Sequence, residues 1–219
     1  VSQYEAKLEI TTEINNDTNQ KNQKFEILTQ IIEQDSHTIV DKSKEALEMD
    51  RLGISSFSKE YIIESPRLWS PSHPNLYKIK TTLLKDGEGI DEKETPLGFR
   101  YFRFDPNQGF FINDVNTKFR GVCLHHDNGP LGAKIFRKAV RRKLRILKEM
   151  GCNAIRTSHN PASVEMMELC DEMGFMVMDE LFDEWTRSKT PEGYWKYFDE
   201  WHEQDVVDFV KRDQNHPCV

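Results

Sequence analysis

The first hundred residues and the last hundred follow different rhythms. Tyr4, Ala6, Leu8, Ile10, Thr12 and Ile14 alternate with Glu5, Lys7, Glu9, Thr11 and Glu13. A period of two gives a strand one buried face and one wet face. Asn15-Asn16-Asp17-Thr18-Asn19 supplies turn chemistry after it. Phe25, Ile27, Thr29 and Ile31 repeat the alternation, and further strands are expected near 36–40, 45–50, 57–63 and 76–84. Turn signals spaced roughly 8–12 residues apart predict an immunoglobulin-like β-sandwich over residues 1–98. No chemistry is legible in it; such a domain positions or supports.

From about residue 119 the period changes. Gly98 to Asn116 is a bridging stretch, with a hairpin expected from Phe110-Phe111-Ile112 to Thr117-Lys118-Phe119 around Asn113-Asp114. Lys118 to Leu124 reads as a strand ending at His125-His126-Asp127. Phe136, Val140, Leu144, Leu147 and Met150 recur at helical spacing, and Gly151 stands where a helix-ending glycine belongs. Asn153 to Thr157 is a second strand, ending at Ser158-His159-Asn160-Pro161. Ser163 caps a helix carrying Val164, Met167, Cys170 and Met173, which stops at Gly174. Phe175 to Met178 is a third buried strand, followed by Asp179-Glu180, and Phe198, His202, Val206, Phe209 and Val210 mark a third helix. Three strand–helix units with short connections predict α/β structure with parallel strands and right-handed crossovers.

Each of these apolar strands ends in polar residues: His125, His126 and Asp127; then Arg156, Ser158, His159 and Asn160; then Asp179, Glu180, Asp183 and Glu184. Parallel α/β folds bind ligands at the carboxyl ends of their strands. The repetition is more informative than any single member. Arg156 has two readings, a substrate contact or an ion pair with a barrel carboxylate such as Glu180. Trp185, Trp195 and Trp201 read as core, with a sugar-stacking platform as the alternative. Arg141-Arg142-Lys143 reads as a solvated helix face.

Composition changes little in this picture. Of 219 residues, 37% are hydrophobic and 31% charged, which is globular, and no apolar run approaches a membrane span. A formal charge of −7 spread over both halves gives no footprint for nucleic acid or a membrane surface. Cys123, Cys152, Cys170 and Cys218 show neither metal-ligand spacing nor a disulfide framework and are expected as buried free thiols. The chain begins at Val1 with no targeting signal, so localisation is not readable.

The motifs resemble glycoside hydrolase family 2. Arg120-Gly121-Val122-Cys123-Leu124-His125-His126-Asp127 is similar to its first barrel strand, and Arg156-Thr157-Ser158-His159-Asn160-Pro161 to its second-strand signature. Leu169 through Glu180 is similar to the stretch leading through the third strand, and Arg212-Asp213-Gln214-Asn215-His216-Pro217 to the run before the fourth. Leu68-Trp69-Ser70-Pro71, His73-Pro74-Asn75-Leu76-Tyr77 and Gly98-Phe99-Arg100 resemble the family's immunoglobulin-like domain and its exit.

The resemblance implies part of a (β/α)₈ TIM barrel over residues 99–219, a jelly-roll domain before residue 1 and the rest of the barrel after residue 219. It implies a retaining β-galactosidase-like enzyme whose two carboxyl groups stand about 5–5.5 Å apart. The acid/base and nucleophile glutamates would lie beyond Val219, so the chain alone is expected to be inactive. His125 and His159 match sugar-contacting histidines, Arg156 and Glu180 match positions that orient the site, Asp179 is expected with these four as a substrate-binding residue, and Arg212 and Asn215 match supports of the next strand. The substrate implied is a β-galactoside or related oligosaccharide, with a β-glucuronide or bare sugar binding as alternatives. Some members hold Mg²⁺ through an acidic residue and a histidine past the third strand. Glu184 stands at the acidic position, but Thr186 replaces the histidine, so a metal is not carried over. Three parallel strands would leave open edges, and self-association of the chain is expected.

Overall fold

A computed structural model describes residues 1–219, which divide into two compact units. Val1–Leu68 with Asn75–Tyr101 make the first; Trp69–Pro74 with Phe102–Val219 make the second.

In the first unit, β1 (Glu5–Asn15) pairs antiparallel with β4 (Ile54–Glu64). The other sheet has the order β3 (Ile39–Met49), β2 (Gln23–Glu33), β5 (Tyr77–Lys85), β6 (Glu88–Leu97), all antiparallel. The alternation read from the sequence builds the core: Ala6 and Ile10 of β1 pack with Ile31, Tyr61, Ile63, Tyr77, Leu97 and Phe99. Tyr77 meets Phe99 edge-on at 5.0 Å, and its hydroxyl accepts the Arg67 amide at 2.9 Å. The strands expected near 36–40 and 45–50 are one strand, β3. β6 carried no sequence signal because it lies at the sheet edge with nearly every residue exposed, so no face is marked by apolar spacing. Asp86 and Gly87, both at positive φ, make the tight turn that joins it to β5.

The second unit opens with an antiparallel ribbon, β7 (Phe102–Asp105), β8 (Gly109–Ile112) and β9 (Val115–Asn116). Asn113 and Asp114 both take positive φ, so the chain reverses within two residues. The returning arm is therefore Val115–Asn116, not Thr117–Phe119. Next come β10 (Gly121–His125), α1 (Arg137–Glu149), β11 (Ala154–Ser158), α2 (Val164–Met173), β12 (Met176–Met178) and α3 (Phe198–Asp213). β10, β11 and β12 form a parallel sheet in chain order and do not close into a barrel. A Cβ at Gly121 would stand 2.8 Å from the Ala154 carbonyl oxygen, so only glycine admits this strand pairing. Cys123, Arg156 and Met178 are in register across the sheet, and all three are exposed.

Burial of α1 and α2 follows only part of the predicted stripes: Val140, Leu144 and Leu147 of α1 and Met167 and Cys170 of α2 are buried, Leu169 joins them, and Phe136, Met150 and Val164 are exposed. Arg141 is not merely solvated. It and Arg137 both pair with Glu172 of α2, and Arg137 also reaches Glu168. The cysteines are all free, but only Cys170 and Cys218 are buried; Cys123 is exposed on the open sheet face and Cys152 is half-buried. The Ser163 hydroxyl accepts the Met166 amide and begins α2.

Around the end of α2 the packing is dense. The carboxylate of Asp171 accepts His216 Nδ1 at 2.5 Å and the Cys218 amide at 3.0 Å. Its carbonyl accepts the indole N–H of the fully buried Trp69 at 2.9 Å. Burial opposes the imidazolium of His216, but the Asp171 carboxylate outweighs it, and the histidine's pKa is raised. The Cys218 carbonyl then accepts the Val177 amide at 2.6 Å, so the last residues run beside β12. Lys148 Nζ donates to Pro71 and Gly174 carbonyls at 3.0 and 2.8 Å.

Two helix-ending glycines separate backbone strain from contact. Gly151 (φ +86) has nothing within 4 Å of a built Cβ, whereas at Gly174 (φ +70) that atom would sit 2.4 Å from the Pro71 oxygen. Gly151→Ala is expected to cost the conformational term alone, about 1 kcal/mol. Gly174→Ala adds an unavoidable backbone clash and is expected to cost about 3 kcal/mol or more. Urea denaturation followed by tryptophan fluorescence measures the difference; equal losses would contradict the packing described.

Candidate functional site

The carboxyl ends of β10, β11 and β12 bring five of the singled-out polar residues together, with Thr157 between them. Glu180 is the hub. One carboxylate oxygen accepts Arg156 Nε and the other accepts His159 Nδ1 at 2.8 Å. The Glu180 amide donates to Thr157 Oγ1 at 2.7 Å, and that hydroxyl donates to Asp179 Oδ1 at 2.9 Å. Burial alone would raise the Glu180 pKa, but His159 and Arg156 outweigh it and hold it below its ordinary value. Glu180 therefore raises the pKa of Arg156, with Cys123 adding to the effect. Of the two readings of Arg156, the ion pair is realised, yet 45% of its side chain stays exposed on the open face. The rings of His125 and His159 meet edge-on at 5.7 Å.

Asp179 sits behind this layer. Its side chain is 1% exposed. Oδ1 accepts from Thr157 and, at 3.3 Å, from the Ala162 amide. Oδ2 is buried with no donor in hydrogen-bonding range, and Arg212 Nη2 stands 3.7 Å away. Arg212 spends itself on Asp213, its Nε reaching both carboxylate oxygens at 2.9 and 3.0 Å. A buried carboxyl with one oxygen lacking a donor is relieved by keeping its own proton. Burial first, then the adjacent Asp213 carboxyl, push Asp179 up to about 6. Asn215 is exposed in the turn after α3 and lies outside the cluster. The other strand-end residues hold their own loop: His126 Nε2 bonds the Ala133 carbonyl at 3.1 Å, and Asp127 accepts the Gly129 amide at 3.2 Å.

The segment after β12 is built around Glu184, which is 5% exposed. Its Oε1 accepts the amides of Lys189 and Thr190 at 3.1 and 2.9 Å, and Oε2 accepts the Trp195 amide at 3.4 Å. Any side chain at Gly193 would collide with this carboxylate, its Cβ only 1.7 Å from Oε2. Both oxygens are thus committed to amide donors, and Thr186 stands where a histidine ligand would be needed. These residues do not fit a Mg²⁺ site. Asp183 pairs with Lys189 at 2.6 Å and lines, with Asn160, Tyr194 and Arg212, a groove of about 560 Å³. Trp185, Trp195 and Trp201 are not core. Trp185 is 64% exposed and lies parallel on Phe198 at 5.9 Å, Trp201 is 48% exposed, and Trp195 is half-buried with its indole N–H on the Thr190 carbonyl. The fully buried tryptophan is Trp69, which no apolar periodicity marks.

Chemically, the exposed part of the cluster is a set of hydrogen-bonding groups. Ionised Glu180, half-exposed Arg156 and two imidazoles can bond sugar hydroxyls. The one carboxyl with a raised pKa, Asp179, is shielded from any ligand and cannot deliver its proton to a leaving group.

Comparison with known proteins identifies the family. The sequence profile described as "Glycosyl hydrolases family 2, TIM barrel domain" matches residues 106–219, and that described as "Glycosyl hydrolases family 2" matches residues 1–100. The β-galactosidase BoGH2A of Bacteroides ovatus is 49% identical over 163 residues, covering 74% of this chain and 19% of that protein. A crystal structure of a glycosyl hydrolase family 2 member from Bacteroides cellulosilyticus superposes with a TM-score of 0.88 at 34% identity, covering all of this chain and 28% of that one. A β-glucuronidase structure from Bacteroides uniformis superposes with a TM-score of 0.88 at 30% identity, covering all of this chain and 26% of that one. The chain spans about a fifth of the length of the curated relatives it matches.

Asp179 makes the stability of this unit depend on pH in an unusual direction. Its pKa is raised from 3.8 to about 6 in the folded chain, so the folded state binds the proton more tightly than the unfolded state. Its contribution is therefore full below about pH 4 and is lost as pH rises to about 6. Asp179→Asn is expected to abolish that component. Urea titrations of both proteins between pH 4 and 7 check this: the stability difference between wild type and variant should shift in favour of the variant as pH rises. A constant difference would refute it.

Proposed function

The chain belongs to glycosyl hydrolase family 2, and from that premise we propose that the full-length protein hydrolyses a neutral β-glycoside, a β-galactoside first, with retention of configuration. The observation that carries the choice of substrate is charge pairing at the strand ends. Arg156 is held by Glu180, Lys189 by Asp183 and Arg212 by Asp213. A uronic acid needs a cation for its carboxylate, ideally a two-pronged one. These three are each engaged by a carboxylate, whereas a neutral sugar needs only hydroxyl partners. The 49% identity to a protein named a β-galactosidase supports the same reading. The likeness to a protein named a β-glucuronidase keeps that activity as the alternative.

In this reading residues 1–98 are the immunoglobulin-like support and residues 99–219 the opening part of the catalytic barrel. His125 and His159 take ring hydroxyls, strengthening those bonds as the ring distorts toward the transition state. Arg156 and Glu180 fix the orientation of His159. Asp179 and Arg212 set the third strand end from behind, and Asn215 supports the strand that follows. The general acid/base and the nucleophile are contributed by glutamates outside this chain.

Full-length protein assayed on aryl β-galactoside, β-glucuronide and β-mannoside tests this, with the highest kcat/KM expected on the galactoside. Turnover of the glucuronide but not the galactoside would overturn the substrate assignment. Residues 1–219 alone are expected to show no hydrolysis, since both reacting carboxylates are needed; clear turnover would overturn the division of roles. The same polypeptide is expected to self-associate through its open sheet face, where Met178 is 66% exposed, and through the exposed Val206, Val207 and Val210 of α3. Light scattering that found a compact monomer would contradict this.

A further inference from the structure

We propose that Asp183 is a further sugar-contacting residue, taking a hydroxyl of the bound glycoside, and that Lys189 and Glu184 are the residues that position it. The proposal rests on the glycoside-binding reading above. Asp183 lines the groove of about 560 Å³ together with Asn160, which directly follows His159, and with Arg212. Its side chain is 42% exposed, so its oxygens are reachable. Oδ1 receives Lys189 Nζ at 2.6 Å. An ionised carboxylate accepts about four hydrogen bonds, so one ammonium contact leaves room for a hydroxyl donor. The Lys189 pairing, opposed by slight burial, holds its pKa below the ordinary value, and the fields of His159 and His125 add to this. The carboxylate is thus ionised and within electrostatic reach of both histidines.

An exposed lysine–carboxylate pair fixes little on its own. What fixes this one is the backbone behind it. Lys189 is held at its amide by the buried Glu184, as are Thr190 and Trp195. Gly193 closes against the same carboxylate. The loop from Glu184 to Trp195 is therefore folded around an internal anion. The carboxylate that some family members spend on a cation is spent here on amide donors, and the positional information reaches Asp183 through Lys189.

The test uses full-length protein and a series of aryl β-galactosides, each lacking one ring hydroxyl. Asp183→Asn is expected to raise KM on the parent glycoside about tenfold or more with a smaller change in kcat, the scale of one hydrogen bond to a charged group. It should also erase the penalty for removing one particular hydroxyl while leaving the other penalties intact. Lys189→Met and Glu184→Gln should erase the same penalty, and Lys189→Arg should restore it. If Asp183→Asn leaves both KM and the deoxy profile unchanged in an active enzyme, the inference fails and the glycosidase reading stands. If Glu184→Gln lowers the melting temperature but keeps the wild-type deoxy profile, its positioning role fails. If the wild type turns over no aryl β-glycoside, the glycosidase reading fails and this inference with it.

Discussion

The carboxylate of Asp171 holds the second unit together where the sequence offers least help. It lies in the interior, 1% exposed, and an unpaired charge there would cost several kcal/mol. It is satisfied from both sides, by His216 Nδ1 and the Cys218 amide, while its own carbonyl holds the Trp69 indole. Three stretches far apart in sequence, Trp69–Pro74, α2 and His216–Cys218, thereby converge on one residue. Cys218 then pairs with β12 through its carbonyl. The position of β12 follows from that arrangement, and with it the positions of the two acidic residues that emerge from its end.

Those two residues, Asp179 and Glu180, are adjacent in sequence and opposite in physics. Met178 faces the open side of the sheet, so strand alternation sends Asp179 to the covered side and Glu180 back to the open side. Glu180 meets Arg156 and His159 and is held ionised. Asp179 is buried beside Asp213 with no donor on its Oδ2, and its pKa rises. Thr157 couples the pair, since its hydroxyl accepts the Glu180 amide and donates to Asp179. A single hydroxyl therefore keeps the inner and outer carboxyls in register.

Much of this was legible in the sequence for a plain reason. Parallel strands buried by helices are marked by apolar runs, and the polar residues that end them are abrupt, so His125, Arg156, His159, Asp179 and Glu180 could be placed at one rim. The change from period two to strand–helix alternation marked where antiparallel strands give way to strand–helix units, but no local signal showed that Trp69–Pro74 belongs with the second unit. Other features were not legible because their cause is not local. The exposed edge strand β6 has no buried face to print a pattern. Trp69 is buried by partners about a hundred residues away, whereas Trp185, Trp195 and Trp201, in an aromatic-rich stretch, are left partly open. Arg141 looked like solvated charge because Glu172 belongs to another helix. Asp183 was visible as one acid among several, but its tie to Lys189 exists only after the loop has closed on Glu184.

That loop shows how one chemical need can be met in two ways. An acidic residue past the third strand of such a barrel is an anion that must be neutralised. A divalent cation does so with strict geometry and a demand for several hard oxygen ligands. Backbone amides do so with weaker, more numerous partners, provided the chain can curl tightly enough, and here Gly193 is what permits the curl. Because the solution is made of main chain, the intervening side chains are released from ligand duty. Lys189 is then available to pair with Asp183, and Trp185 to lie open on Phe198. The buried Glu184 carboxylate is thus the internal anchor of the loop that carries Lys189 and Trp185.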